Sequence, residues 1–340
     1  MDTNTHGDIA FSSRVRLARN LKDIPFPERL DDKQAAEVSK KISDAALRLA
    51  GDEKWHDLAL KTIDPLHRQA LVERHLVSRE MLGGMHDARL LIRDDERLGV
   101  LVNEEDHMRI QALRPGFDLT EAYEEAADLA ARLEGILNIA SLPTYGYLTC
   151  CPTNVGTGMR ASVMVHLPAL ARADLIPKLL QTLSRSGFTL RGYSGEGSSA
   201  EGDLYQISNQ VTLGRYEKDI LSDLSEITLQ VIDSEKRSRQ AFFDADPVAY
   251  EDRVARAYGI LTNAVSISHQ EAMSLLSTLR EGVERGVRQT PDIETINDLQ
   301  LTIGPANVAW RENVEPDLRG QDALRADMIR HRLKENHTHD

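Results

Sequence analysis

Residues 160 to 167, RASVMVHL, alternate without interruption. Arg160, Ser162, Met164 and His166 fall on one side of an extended chain, and Ala161, Val163, Val165 and Leu167 on the other. A helix cannot satisfy a period of two. The stretch needs a strand in a sheet with unlike faces, one built into a core and one able to meet a ligand. Residues 12 to 19, SSRVRLAR, repeat the device, since extension puts Ser12, Arg14 and Arg16 on one face with Arg19 about a turn further on. A third strand-like run, Leu98 to Val102, leads directly into NEEDH, residues 103 to 107, where Glu104, Glu105 and Asp106 stand side by side.

The remaining pattern supplies a scaffold. Leu30, Val38, Ile42, Ala46 and Leu49 recur at helical spacing across residues 28 to 49, with Gly51 as the stop. Leu90 to Ile92 and Val100 to Val102 flank the polar turn Asp94-Asp95-Glu96 as a hairpin, so the acids of NEEDH lie at a strand end. Phe188 to Arg191 and Leu204 to Leu213 read as strands separated by GYSGEGSSAEG, a flexible flap by composition. Ile220, Leu224, Ile227 and Val231 predict a long helix ending near Arg239, and DADP, residues 244 to 247, marks a boundary. Beyond it the pattern is helical. Ser268 and Glu271 have capping-box spacing ahead of Ala272, Leu276, Leu279 and Val283, and a further helix spans about Asp322 to Leu333. A chain of 340 residues suits two domains, which we divide as 1-243 and 244-340.

Charge and cysteine usage narrow the function classes. A formal charge of -13 disfavours nonspecific attraction to nucleic acid or to an anionic membrane. Cys150 and Cys151, the only cysteines, are adjacent and cannot form the disulfide framework of a small secreted domain. The N-terminus MDTNTHGD has no apolar signal core, and no stretch reaches the roughly 18 apolar residues of a membrane span. The expectation is a cytoplasmic protein with no membrane and no nucleic-acid partner.

Of the 41 basic residues, ten are lysine and 31 arginine. Arginine forks onto phosphate and carboxylate oxygens as lysine cannot. The preference recurs at Arg109, Arg160 and Arg191, each beside a strand end or a glycine loop. Phosphoryl transfer spreads negative charge over several oxygens, and catalysis consists largely of positioning donor and acceptor while neutralising that charge. Converging arginines would do this. No G-x-x-x-x-G-K, H-R-D or D-F-G is present. GTGMRA (156 to 161) and GEGSSA (195 to 200) fit G-x-G-x-x-A, but neither leads into a helix as dinucleotide binding requires. Their glycines would instead let backbone amides approach phosphate oxygens.

The acids make sense if the acceptor is cationic. A guanidinium is a poor nucleophile, so it must be aligned and must lose a proton. Two close carboxylates can grip its planar N–H edges, and their mutual repulsion raises the proton affinity of one, suiting it to act as a base. Cys151, ahead of PTNVGTG, is read either as a thiolate that helps beside that cation or as an inert buried cysteine. His75, His107 and His166 are read either as nucleotide contacts or as structural groups. No Cys/His spacing supports a zinc site, and magnesium would be held chiefly through nucleotide phosphates.

SSRVRLAR, NEEDHMR and CPTNVGTGMRASV, in that order, resemble the guanidino-phosphotransferase family, which includes creatine and arginine kinases. The resemblance implies an α+β fold, an antiparallel sheet flanked by helices, followed here by a small all-α C-terminal domain. It implies that ATP, with Mg2+, is bound by arginines on the sheet. It assigns Ser12, Ser13, Arg14, Val15 and Arg16 to the nucleotide, with His75, Arg109, the strand Arg160, Ala161, Ser162, Val163 and Met164, and the loop Arg191, Gly192, Tyr193, Ser194, Gly195 and Glu196. Asn209 falls on a nucleotide-proximal strand. Glu104, Glu105 and Cys151 match the family's catalytic carboxylates and reactive cysteine.

The chain departs from the small-molecule enzymes in having almost nothing before SSRVR and an added helical segment after residue 244. That combination resembles the bacterial protein-arginine kinases, whose phosphorylation of arginine side chains marks proteins for a Clp protease or releases a stress-gene repressor. It implies protein substrates with exposed arginines, an activator protein, a stress-gene repressor and a Clp ATPase as partners, and a homodimer. An R-D-x-x-R-A motif that binds phosphoarginine allosterically in that family corresponds to QDALRA here. Gln321 replaces its leading arginine, whereas Asp322, Arg325 and Ala326 fit. The alternatives are a phosphagen kinase acting on free arginine or another small guanidine, and a noncatalytic phosphoarginine-binding adaptor.

Overall fold

The computed structural model describes residues 6–83, 87–192, 200–287, 290–312 and 318–335. Its strands are β1 (Ala10–Arg19), β2 (Trp55–Ala59), β3 (Arg89–Arg93), β4 (Leu98–Val102), β5 (Met108–Pro115), β6 (Ser141–Leu142), β7 (Gly146–Tyr147), β8 (Met159–His166), β9 (Phe188–Gly192) and β10 (Leu204–Asn209). Eight of them form one sheet in the order β2-β3-β4-β5-β1-β8-β10-β9, antiparallel at every pairing, and β6 and β7 pair separately. The arginine-bearing strands β1, β5 and β8 are neighbours at its centre.

The α-helices are α1 (Asp32–Ala50), α2 (Pro65–Glu73), α3 (Leu119–Glu134), α4 (Pro168–Arg172), α5 (Ile176–Arg185), α6 (Glu217–Ala245), α7 (Pro247–Asn263), α8 (His269–Glu284), α9 (Ile293–Thr302), α10 (Pro305–Glu312) and α11 (Leu318–Glu335). Alternation decides where they pack. Val15, Leu17, Ala161 and Val163 face one way and are buried with Val38 and Ile42 of α1, Ala126 and Leu129 of α3, and Leu224 and Val231 of α6. Burial of one such aliphatic side chain contributes about 1.5 to 3 kcal/mol, so this face holds the helical layer in place.

The opposite face is divided between two uses. At one end it carries Arg14, Arg16 and Arg160 over an open cleft. At the other, Phe11, Met164 and Leu204 are buried against Leu276 and Leu279 of α8 and Leu299 of α9. His166 belongs to this junction. Its Nδ1 accepts from Arg239 Nη2 (3.0 Å), because a guanidinium only donates, and its Nε2–H therefore donates to Ser277 Oγ (2.8 Å). Burial and the neighbouring arginines hold this imidazole well below its ordinary pKa.

Several element ends differ from the sequence expectation for local reasons. The first helix begins at Asp32, because Asp31 and Gln34 form a reciprocal capping box; Leu30 lies in the turn before it. β10 stops at Asn209, four residues short of Leu213. There the Asn209 side chain takes over the pairing, accepting from Ala161 N (2.8 Å) and donating to Met159 O (3.2 Å). α6 continues past Arg239 to Ala245, where Asp246 caps α7 and Pro247 occupies its first turn. α8 has the Ser268 half of its capping box, with Glu271 N donating to Ser268 Oγ (3.2 Å). The last helix starts at Leu318, ahead of Asp322. β2, β5, β6, β7, α2, α3, α4 and α5 have no counterpart in the sequence reading.

Candidate active site

Strand register arranges the floor of the cleft in rows. Arg16 pairs with Arg160, Arg14 with Ser162 and then Ser208, and Ser12 with Met164, Gln206 and Arg191 in turn. Arg14, Arg16, Arg109, Arg160 and Arg191 thus line one cleft of about 870 Å³. Concentrating cations in a partly dry space is costly. Burial and then the neighbouring arginines lower Arg14 to about 10 and hold Arg16 well below its ordinary value. Arg160 is lowered by burial, then by Arg191 and Arg109. Arg14 Nη2 donates to Gln206 Oε1 (3.3 Å) and Arg160 Nη2 to Ser208 Oγ (3.4 Å). The Arg16 guanidinium has no hydrogen bond or ion pair among the described residues, and its Nε is buried. An uncompensated buried cation destabilises a fold until an anion neutralises it. The floor is therefore a concentrated field of cations that a bound anion would neutralise.

The predicted nucleotide residues divide by strand face. Ser13 and Val15 point to the helical layer: Ser13 Oγ donates to Gly116 O (3.0 Å) and accepts from Asp118 N (2.8 Å), while Val15 is core. Ala161 and Val163 are core as well, and Met164 lies beneath the C-terminal helices. Ser162 is on the floor, its hydroxyl donating to Arg14 O (3.5 Å). His75, at φ +58, lines the cleft, and burial with Arg14, Arg79 and Arg16 nearby pushes its imidazole down to about 3. Gly192 also lines the cleft. Tyr193, Ser194, Gly195 and Glu196, within the flap, lie outside the described residues. The glycines of GTGMRA serve packing. A Cβ on Gly158 would meet Ala18 O at 2.6 Å, and its amide donates to Asn154 O (3.0 Å) rather than facing the floor.

The acids of NEEDH separate into two kinds. Asn103, at φ +52, turns the chain and donates from Nδ2 to Ala35 O (2.9 Å). Asp106 is buried, accepting from Asn20 Nδ2 (2.7 Å) and Cys150 N (2.8 Å), and burial raises its pKa. His107 accepts from Leu21 N (3.0 Å) and donates to Pro25 O (2.8 Å). These three fix the turn, and Glu104 and Glu105 are left to line the cleft. Arg109 forks onto both, Nη1 to Glu104 Oε2 at 2.7 Å and Nη2 to Glu105 Oε2 at 2.5 Å. The two are not equivalent. Glu104 is 6% exposed and also accepts from Ser78 Oγ (2.6 Å), whereas Glu105 is 41% exposed.

Between the acids and the floor lies a recess of about 60 Å³ lined by Arg16, Glu105, Arg109, Asn154 and Arg160. Cys151 sits in the adjoining loop, its Sγ 3.0 Å from Thr153 Oγ1. Burial and the acids Glu28, Asp106 and Glu105 push the Cys150 thiol up to about 11. Asn154, Gln206 and Ser78 are cleft residues that sequence reasoning missed. Asn154 was within reach, as part of CPTNVGTG. Ser78 carries no local signal, because only the fold brings it to Glu104.

The second predicted cluster is differently placed. Gln321, Arg325 and Ala326 are buried on α11. Arg325 donates to Ile303 O (2.8 Å) and Ile267 O (2.9 Å) and pairs with Asp322, so its guanidinium is committed within the C-terminal helices.

Fold and cleft together define a guanidino-kinase architecture, in which forked cations stand beside paired acids. A taurocyamine kinase from Schistosoma mansoni, solved with bound transition-state-analogue components, superposes at a TM-score of 0.62 with 29% identity, covering 69% of this chain and 34% of that one. Lombricine kinase shares the fold at a TM-score of 0.61 and 24% identity, over 69% and 68% of the two chains. Residues 37–238 match the ATP:guanido phosphotransferase C-terminal catalytic domain, and residues 247–340 match the protein-arginine kinase McsB C-terminal domain. Relatives named protein-arginine kinase from Halothermothrix orenii and Symbiobacterium thermophilum are 42% and 43% identical over 96% and 97% of this chain and 93% and 95% of their own lengths. The chain belongs to the protein-arginine kinase branch of the ATP:guanido phosphotransferase family.

Proposed function

We propose that this enzyme transfers the γ-phosphoryl group of ATP to arginine side chains of proteins. The observation that carries the reading is the unpaired, half-buried Arg16 facing Glu105 across a recess of about 60 Å³. Polyphosphate lies along Arg14, Arg16, Arg160 and Arg191. Magnesium would be held through phosphate oxygens of the nucleotide and would add charge neutralisation there.

The acceptor guanidinium takes the place of the Arg109 fork on Glu104 and Glu105, and Arg109 turns to the phosphate oxygens. Glu104, held by Ser78, aligns the acceptor. Glu105, the more accessible acid, takes its proton. The freed nitrogen forms a bond to the γ-phosphorus as the bond from that phosphorus to the β-γ bridging oxygen breaks, and ADP leaves with the electron pair. Protein rather than free arginine is favoured by near full-length similarity to protein-arginine kinases and by the C-terminal helical part.

The finer reading divides the chain at residues 243 and 244 and makes it a cytoplasmic homodimer. Its products are marked for a Clp ATPase or include an inactivated stress-gene repressor, and an activator protein engages it. No helix among the described residues is long and apolar enough to cross a membrane. A phosphoarginine site at Gln321, Asp322, Arg325 and Ala326 would require Arg325 to exchange a carbonyl for phosphate.

Incubation with ATP, a folded arginine-bearing protein and free arginine tests the activity. Most label is expected in the protein. Label confined to free arginine would establish a phosphagen kinase, and phosphoarginine binding without transfer an adaptor.

A further inference from the structure

The cleft has a direction. Glu104, Glu105 and Arg109 stand at the Arg16 end, so transfer is confined there. From Arg16 to Ser12 β1 runs four residues, about 13 Å at the rise of a strand. A nucleotide with its γ-phosphoryl group at the acids extends its nucleoside toward the Ser12 row, which ends at Arg191. At that end the cleft is walled by the C-terminal helices. His269 of α8, Gln300 and Leu301 of α9, and Gly304 and Pro305 before α10 line the same space as Arg14 and His75.

This wall is tied down on two sides. From the catalytic part, the Glu73 carboxylate accepts from Ala306 N and Asn307 N, both at 2.9 Å, and from Asn307 Nδ2 (2.8 Å). A Cβ on Gly304 would stand 2.3 Å from that carboxylate, so any larger residue there would make the Glu73 side chain shift. From α11, Arg325 holds the carbonyls of Ile303 and Ile267, just before Gly304 and two residues before His269. His67 and Trp310 stack at 4.3 Å beside the junction.

Two polar groups of the wall line the cleft. Gln300 is 2% exposed; its Oε1 accepts from Arg280 Nη1 (3.4 Å), while its Nε2 is buried with no hydrogen-bond partner among the described residues. Such an orphaned amide is uncommon enough to need a partner. His269, half-buried, has its imidazole lowered by burial and so is neutral near pH 7. Resting on the kinase reading above, we propose that the C-terminal helices form the nucleoside-side wall of the nucleotide cleft, with Gln300 and His269 meeting the base or ribose.

Gln300→Leu and His269→Ala in the full chain test this. Arg280 keeps Asp8 O, Gly7 O and Asn297 in the first variant, and His269 opens α8 at an incompletely buried position, so one folded variant suffices. The KM for ATP should rise about three- to ten-fold, the scale of one hydrogen bond. Acceptor KM and inhibition by inorganic tripolyphosphate, which lacks a nucleoside, should stay within twofold. Unchanged ATP KM in the folded variants, or tripolyphosphate inhibition weakened in parallel, would overturn the wall. Absence of any phosphoryl transfer by the wild type would sink the kinase reading instead, and calorimetric ATP binding would then decide the wall separately.

Discussion

The floor of the cleft and its walls are built by different rules. On the floor, Arg14, Arg16 and Arg160 sit on paired strands, and backbone register fixes their separations before any side-chain contact forms. The walls bring together Ser78 with Glu104 across 26 residues, and Glu73 with Asn307 across 234. Strand-borne groups are held rigidly, as stabilisation of charge developing in a transition state requires. Groups joined by long-range contacts between packed pieces are suited to grip and orientation. The chemistry should therefore fail steeply when the floor is altered and gradually when the walls are.

Arg16→Ala would break the comparison most severely. A kcat lower by about 10³ is expected for loss of a cation on the transferring group, with the variant at least as stable as wild type because an unpaired cation is removed from among other cations. Steady-state kinetics and thermal melting check both, and a loss below tenfold would place Arg16 outside the reaction. Ser78→Ala sharpens the wall side. Freeing Glu104 Oε1 should lower kcat/KM for the acceptor about tenfold, a charge-assisted hydrogen bond being worth about 1.5 to 3 kcal/mol, and leave ATP KM unchanged. An ATP effect of equal size would make Ser78 a packing residue only.

The smallest effect concerns pH. The His75 pKa falls to about 3 in the folded chain, against about 6.5 in an unfolded one. Between those values the unfolded state binds the extra proton, so this group's contribution is complete above about pH 6.5 and is lost as pH falls toward 3. Substitution His75→Asn, tolerated at positive φ, should flatten the fall in stability between pH 6.5 and 5 in denaturant titrations. An unaltered slope would show that His75 is not held neutral.

Much of the floor was legible in the sequence, because a period of two maps directly onto strand faces. The same alternation separates Arg14 and Arg16 from Ser13 and Val15, and Ser162 from Ala161 and Val163. Family resemblance assigned whole motifs to the nucleotide, whereas the fold gives the cleft only every second side chain. α3 was also readable: Leu119, Ala122, Ala126, Leu129 and Leu133 form a helical stripe once its alanines count as apolar. The walls were not. Nothing near Glu73 predicts an α10 N-terminus, and nothing in NEEDH alone separates the pinned Asp106 from the open Glu105. Those distinctions arise only when Asn20, Cys150 and Ser78 arrive from elsewhere in the chain.

The central claim is that Glu105 activates a protein guanidinium for attack on a phosphoryl group held by the arginine floor. Mass spectrometry under conditions that preserve the acid-labile P–N bond, comparing wild type with Glu105→Gln on one folded substrate, tests it most directly. Phosphoarginine should form on the protein with wild type and fall at least about a hundredfold with the variant, while ATP binding persists. Equal phosphoarginine from both, or phosphate found only on other side chains, would contradict the account.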